Sequence, residues 1–474
     1  MIHYLFLTIY TIIILFLTLK IWKKTRNVGF VLGFGFLYYW SLLGAWFIVF
    51  DELTNQKGKD IGLAYYHYLD VLFPVHADST YLVVIHFYAL FILTIQFTVL
   101  FFVRKSATKK INEENTPKVI NHAWLILICV LSTLLSLSII FKEILLAAQF
   151  NQSVYYITRH YHGSCFTIHQ LLNQVSVSAL FLGLTTFLSG DKALFLKGST
   201  HKKYAIYYLL AIFFIEGFLL FIGNKREIFF GGILGILFYL QNVNYKINYK
   251  SLAMFITIIL IPLFFNDGLR SYSPKFLAEI FDLTTLEFHP KEEIVYTQFT
   301  AKNTTFRFLF SNEMFVPHFS MYGVLSHNVP YTYGTSIVSF ISSFIPHFLW
   351  PDRPAGIYEY YAAQVNAKPG TGYTIHHATA WFLNFGIFGI IIGGFILGWI
   401  WSFFYNAIFK VNQFKSSFIS ILFIIGFSAF TAQIPSMIRS GPEGYKALIF
   451  EAILLPVLII FISTLIPKVL MKNK

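Results

Sequence analysis

The sequence predicts an all-α polytopic membrane protein of about eleven transmembrane helices, with one large loop late in the chain. Three observations carry that prediction. Hydrophobic residues fill 56% of the 474 positions and charged residues only 12%, roughly half the charged share of a soluble domain. A water-soluble globule could not hide 55 Phe and 29 Tyr, and the mean hydropathy of +0.64 agrees. Apolar segments near the bilayer-spanning length, about 20 residues, recur along the chain, and basic residues collect on alternate connections. The composition excludes a soluble enzyme, a disordered scaffold and a nucleic-acid binder.

The segments, in order, are 3–22, 28–50, 81–103, 119–141, 168–189, 204–223, 228–243, 251–266, 379–409, 416–434 and 447–466. The first, from Tyr4 to Trp22, lacks a small-residue cleavage site and reads as a retained helix, not a signal peptide. The shortest are 228–243 and 251–266. Alternation places the N-terminus outside and the C-terminus in the cytoplasm. The six cytoplasmic connections then hold 20 of the 35 Lys and Arg residues but only three of the 22 acids. This is the positive-inside pattern, so the net charge of +13 records topology and not an acidic partner. Cys129 and Cys165 suggest neither a disulfide framework nor a metal site. No internal repeat or low-complexity linker appears, so the chain reads as one membrane domain, 1–474, carrying an outer subdomain at 267–377.

That loop is far longer than an ordinary connection, and loops beyond about 12–15 residues tend to be functional. Thr304 to Val316 mixes aromatic and polar residues. Ser336 to Trp350 is nearly apolar but too short to span, and reads as an interfacial or re-entrant helix.

Arginine is distributed unlike lysine. Of eight arginines only Arg26 and Arg104 are cytoplasmic; Arg159, Arg226, Arg270, Arg307, Arg353 and Arg439 lie outside, whereas 18 of 27 lysines lie inside. Topology needs only positive charge. A guanidinium adds a planar fork that holds phosphate oxygens in pairs. The outer arginines therefore point to phosphate, pyrophosphate or carboxylate recognition, against the plainer reading that they pair with outer acids.

Three places concentrate this chemistry. Gly223-Asn224-Lys225-Arg226-Glu227 is a tight turn with two cations at the membrane edge; the plain alternative is a snorkelling pair on lipid headgroups. In Ile438-Arg439-Ser440-Gly441-Pro442-Glu443-Gly444-Tyr445-Lys446, Ser440 or Gly441 can cap a helix starting at Pro442. Its outward N-terminus, flanked by Arg439 and Lys446, suits an anion unless Glu443 already satisfies it. Third, Asp352 and Arg353 stand between Pro351 and Pro354, followed by Tyr358, Glu359, His376 and His377. Adjacent histidines diverge and make poor joint metal ligands; one is a candidate general base, or both simply hydrogen-bond at the interface. Glu216 and Glu451 lie inside helices, where an acid pairs or lines a polar cavity. Partners for them are Arg226, Lys446 or sugar hydroxyls. No metal, ATP or other cofactor motif occurs.

Taken together, the chain resembles the Wzy-type O-antigen and capsule repeat-unit polymerases. The resemblance rests on the helix number, the late outer loop and the basic outer turns. Locally it rests on Ile345-Pro346 through Trp350-Pro351-Asp352-Arg353-Pro354, on Asn384-Phe385-Gly386 through Gly389, and on Arg439-Ser440-Gly441-Pro442-Glu443-Gly444. It implies a fold similar to the GT-C membrane glycosyltransferases in the bacterial inner membrane, with the active site facing the periplasm. It implies a metal-independent reaction between two undecaprenyl-pyrophosphate-linked oligosaccharides, donor and acceptor, and a chain-length regulator as partner by family analogy. Membrane lipid surrounds the protein and nucleic acid plays no part. On that reading Arg226, Arg439, Arg353, Arg270, Arg307, Lys446 and Lys225 hold pyrophosphate. Asp352, Glu313 and His377 are candidate bases, and Glu216, Glu443, Tyr358, Glu359 and His376 touch sugar. An O-antigen ligase shares the topology and donor. A flippase fits less well, because the 111-residue outer loop is unlike a transporter's short connections. A membrane acyltransferase needs a histidine near an acyl donor reached from the cytoplasm, and no buried cytoplasmic-side histidine pair stands out.

Overall fold

A computed structural model of the protein describes residues 1–54, 75–105, 118–152, 154, 157, 163–198, 202–224, 226–244, 248–284, 286, 315–345, 350, 352, 354–366, 374–410 and 417–472. Among these, nine helices are long and apolar enough to cross a membrane: Ile2–Thr25, Val28–Phe50, Ser79–Phe102, His122–Ile139, Ile168–Ser189, Lys203–Ile222, His377–Ile408, Phe418–Ile438 and Gly444–Leu465. The chain is a helical, multi-pass membrane protein. Its contacts gather into two compact units, one of residues 1–108, 290–406 and 433–448, the other of 109–289, 407–432 and 449–474.

The first unit contains α1 (Ile2–Thr25), α2 (Val28–Tyr38), a π turn (Tyr39–Leu43), α3 (Gly44–Thr54) and α4 (Ser79–Phe102). Asn27 caps α2 by accepting the Gly29 N–H at 2.8 Å, and Asp78 caps α4 by accepting that of Tyr81 at 2.8 Å; a cap of this kind contributes about 1 kcal/mol. Polar contacts tie α4 to α1: Gln96 Nε2 donates to Ile14 O and Thr18 Oγ1, both at 2.9 Å. Three short helices follow, α11 (Phe315–Ser326), α12 (Thr335–Ser342) and α13 (Ile357–Gln364), then the long α14 (His377–Ile408). Gly394 and Gly398, one turn apart on α14, lie against the backbone carbonyls of Phe91 and Ile95. This is the small-residue packing that lets membrane helices approach closely. Trp401 of α14 is fully buried between Phe30 and Phe34.

In the second unit, α5 (His122–Ile139), α6 (Phe141–Gln149), α8 (Lys203–Ile222), α9 (Arg226–Asn242) and α10 (Tyr249–Ile280) accompany α7 (Gly163–Ser189). Gly231 of α9 lies against Val177 and Phe181 of α7, and Gly183 of α7 against Tyr208 of α8. Further along, Asn242 Nδ2 donates to Ser189 Oγ at 3.0 Å. These two contacts make α7 and α9 run parallel. Gln241 pins α9 to α15 (Ser417–Ile438): its Nε2 donates to Ile424 O and its Oε1 accepts from Ser428. Two short strands, β1 (Lys118–Ile120) and β2 (Lys197–Gly198), pair in parallel. The last helix starts as α16 (Gly444–Lys446), widens into a π segment (Ala447–Leu454) and continues as α17 (Leu455–Lys472).

Some expected boundaries move. The helix expected at 251–266 continues to Ile280, so the large loop begins with helical residues. The apolar helix expected over Ser336–Trp350 is the shorter Thr335–Ser342, and most of Thr304–Val316 lies outside the described residues. The last helix starts at Gly444 and not at Pro442. Gly444, Tyr445 and Lys446 each bond the carbonyl three residues back, so the chain from Gly441 is a tight turn before it becomes a regular helix.

Candidate functional site

The second unit builds one polar site at the α8–α9 turn. Gly223 adopts φ 87°, the left-handed conformation glycine takes at a helix end. Its N–H reaches Leu220 O at 3.0 Å, and the Asn224 N–H reaches Leu219 O at 2.8 Å. The chain therefore reverses within a few residues and starts α9 with Arg226 on its first turn. Arg226 Nη2 donates to Glu451 Oε2 at 3.0 Å, with the two side chains 44% and 27% exposed. Glu451, one of the two intrahelical acids, sits within the π segment. Such segments are frequent at functional sites. Glu227, the next residue, is fully buried, and among the described residues its carboxyl oxygens have no partner beyond its own backbone N–H. The charges of Arg226 and Glu451 both act on it. Glu216 of α8 is buried with both oxygens unpartnered. Of the two intrahelical acids, Glu451 is thus the one that pairs with Arg226. Lys225 lies outside the described residues.

The first unit brings together Glu443, Lys446, His376, His377 and Glu359 around the 439–446 turn. Gly441 lies against Ile357 and Ala380 and leaves no room for a side chain. Glu443 Oε1 accepts the Ile357 N–H at 2.9 Å. The carboxylate caps α13, a different helix from the one it precedes. Burial holds the Glu443 carboxyl above the ordinary carboxylate range, opposed by that N–H. Lys446 Nζ donates to Ser343 O at 2.5 Å, just past the end of α12, and lies 5.8 Å from the Phe344 ring. Glu359 accepts from Gly356 N at 3.0 Å. Tyr358 is half-buried beside it, and Arg439 is half-buried at the end of α15. Lys446, expected to flank an anion at this helix start, and Glu443, expected as the competing acid, are therefore both engaged in bracing neighbouring helices.

The paired histidines have fixed roles. His377 Nδ1–H donates to Ser440 O at 2.8 Å, which leaves Nε2 to accept from Trp381 Nε1 at 3.0 Å, with Tyr445 OH at 3.3 Å. His376 Nδ1 accepts the Ala378 N–H at 3.0 Å, so Nε2–H donates to Ser41 Oγ at 2.9 Å. A third histidine completes this core. His318 Nδ1–H donates to Ser41 O at 2.8 Å and Nε2 accepts from Tyr81 OH at 2.6 Å. All three rings are buried. Burial pushes His318 down to about 4 and His376 well below its ordinary value. His377 has no lone pair left for a substrate proton, so its geometry suits bracing of the 440–445 turn.

Asp352 is exposed in a turn. Glu313, Arg307 and Arg353 lie outside the described residues, as does the side chain of Arg270. At Asn384-Phe385-Gly386 the α14 backbone leaves helical geometry, with Gly386 at φ 60°. Asn384 and Thr332 take over the polar groups there: Thr332 N donates to Leu383 O at 2.7 Å, and Asn384 Nδ2 to Ser336 Oγ at 2.6 Å. Among the described residues no group of three or more His, Cys, Asp or Glu side chains is placed to hold a metal ion.

Sequence reasoning gave no role to Glu227, His318 or Gln174. Each is a polar residue in an apolar helix, a signal that marks function or a paired core group. No protein family, curated protein or solved structure matches the chain.

Proposed function

We propose that the protein is a repeat-unit polymerase of the bacterial inner membrane. It joins undecaprenyl-pyrophosphate-linked oligosaccharides on the periplasmic side, and the growing chain is transferred from its lipid carrier to a hydroxyl of an incoming lipid-linked repeat. The arrangement that goes with this is a GT-C-like bundle of eleven spans, the nine apolar helices together with α9 and α10. The N-terminus is then periplasmic and a chain-length regulator is the expected partner.

The observation that carries the reading is Arg226. It is a half-exposed guanidinium on the first turn of a helix, held among the described residues by a single Nη2–Oε2 contact and not by a bidentate pair. Its remaining N–H groups can serve pyrophosphate oxygens, the helix start favours an anion, and the charge pattern of the chain supports an outer position for this turn. The leaving pyrophosphate gains charge as the glycosidic bond breaks, and a fixed cation stabilises that change without a metal.

A clean deletion in the source strain tests it, read by gel analysis of surface glycans. A ladder reduced to a single repeat on its acceptor supports polymerase. Loss of even the single repeat, with lipid-linked polymer accumulating, makes the protein a ligase. An intact ladder removes both.

A further inference from the structure

Resting on that reading, we infer that Glu451 is the catalytic base of the transfer, exposed to the acceptor hydroxyl when Arg226 exchanges it for the donor's pyrophosphate. Three observations lead there. First, the Arg226–Glu451 contact is a single Nη2–Oε2 bond at 3.0 Å between partly exposed side chains. Ion pairs this accessible hold weakly, so a dianionic pyrophosphate can compete for the guanidinium. Second, Glu451 sits in the π segment 447–454, a widened stretch between the tight turn at 441–446 and the regular helix from Leu455. Third, the surroundings lack the hydrogen-bond groups that an alcohol supplies. Glu227 presents beside the pair a carboxyl that, among the described residues, has no partner beyond its own backbone N–H. Among the same residues Asn224 Nδ2, two residues before Arg226, is a buried donor without a partner, and so is Gln174 Nε2. Gly231 meets Val177 on the parallel α7 and α9, so Glu227 and Gln174, one turn earlier on each, stand level. Unsatisfied acceptors and donors together suit hydroxyl groups, which donate and accept at once.

The step balances as follows. The acceptor O–H gives its proton to the Glu451 carboxylate, and its oxygen forms the new bond to the donor's anomeric carbon. The bond from that carbon to the pyrophosphate oxygen breaks. The electron pair leaves with undecaprenyl pyrophosphate, whose added charge meets Arg226. No oxidant, reductant or further reactant enters.

Glu451→Gln keeps the shape and removes the base. Two readouts follow the full-length variant: binding of undecaprenyl pyrophosphate to purified protein in liposomes, and the glycan ladder in the deletion strain. The expected result is unchanged or tighter binding, because the competing charge is gone, with polymer reduced by about 100-fold or more, the usual range for a general base. A ladder within a few-fold of wild type overturns the inference. So does loss of binding together with polymer, which would make Glu451 a structural partner of Arg226. Failure of the broader reading looks different: wild-type protein does not bind the lipid pyrophosphate, or the deletion leaves the ladder intact.

Discussion

Glu443 caps a helix to which it does not belong: its Oε1 accepts the backbone N–H of Ile357, 86 residues earlier, at 2.9 Å. A Cβ at Gly356 would stand 3.3 Å from the same oxygen, so a side chain there would press on this contact. The 439–446 turn thereby holds α13, and through Lys446 it holds α12.

Glu443→Ala should lower thermal stability in detergent, by about 1–2 kcal/mol, because a part-buried N–H loses its acceptor. Glu443→Gln should cost nothing and be at least as stable as wild type at neutral pH, since its amide oxygen can still accept and it has no charge to bury. The titration gives a second signature. The folded protein holds the Glu443 proton to higher pH than the ordinary value of 4.5. Between that value and the raised one the folded state binds more protons, so stability falls as pH rises through the window. Melting temperatures of wild type and Glu443→Gln across that range should converge at the acid end, where wild-type Glu443 is also neutral.

His318 should make the first unit acid-sensitive. In the unfolded chain it takes up a proton near 6.5, and in the fold only near 4. Below 6.5 the unfolded state binds more protons, so stability is lost as pH falls toward 4, by about 3 kcal/mol for the full shift. His376, depressed in the same core, adds in the same direction. His318→Gln should melt lower at pH 7 and show a shallower loss between pH 6.5 and 4. Equal acid sensitivity in the variant would remove His318 from this effect.

His377→Asn separates bracing from catalysis. Asn places an N–H near the position of Nδ1 and can still reach Ser440 O, but it offers no titrating nitrogen. The expected outcome is a lower melting temperature with polymer still formed and an unchanged pH dependence. Loss of polymer from a folded variant would restore His377 as a base.

How much of this was readable in the sequence follows from what each feature depends on. The nine spans were legible because membrane insertion depends on local apolar length, and that is written in consecutive residues. The tight turn that carries Arg226 was legible too, since Gly223 stands between two apolar runs and ends the first of them in the left-handed conformation. Its partner was readable only as one of several options, because Glu451 lies 225 positions away and only the packing within the second unit selects it. In sequence Lys446 reads as a flank of a helix-start anion site, and Glu443 as the acid that would satisfy that helix start instead. Their actual targets, Ser343 O and Ile357 N, are backbone groups of distant helices that carry no sequence signal. The histidine pair shows the same limit: proximity in sequence said nothing about Trp381, Ser41 and Ser440, which fix the tautomers.

Gly398 should tolerate no bulk. A Cβ built there stands 2.9 Å from Ile95 O and 2.9 Å from Thr98 Cβ, and a backbone carbonyl cannot rotate away as a side chain can. Gly398→Leu should separate α14 from α4 and lower the yield of folded protein. Gly35→Ala, on the same unit with nothing within 4 Å of its Cβ, is the control that should behave as wild type.

Arg226→Lys is the sharpest test of the proposed pyrophosphate site. Lysine keeps the positive charge, so topology and membrane insertion should be preserved. It can still meet Glu451 as a point charge, so the fold should melt within a few degrees of wild type. It loses the planar fork that presents paired N–H groups to phosphate oxygens. If Arg226 meets the charge that develops on the leaving group, losing that geometry should cost about 100-fold or more in polymer, as loss of one fixed transition-state donor does. Expression, membrane fractionation and the glycan ladder measure the three quantities separately. A normal ladder from well-inserted Arg226→Lys would show that charge alone suffices there, and would reduce Arg226 to a structural partner of Glu451.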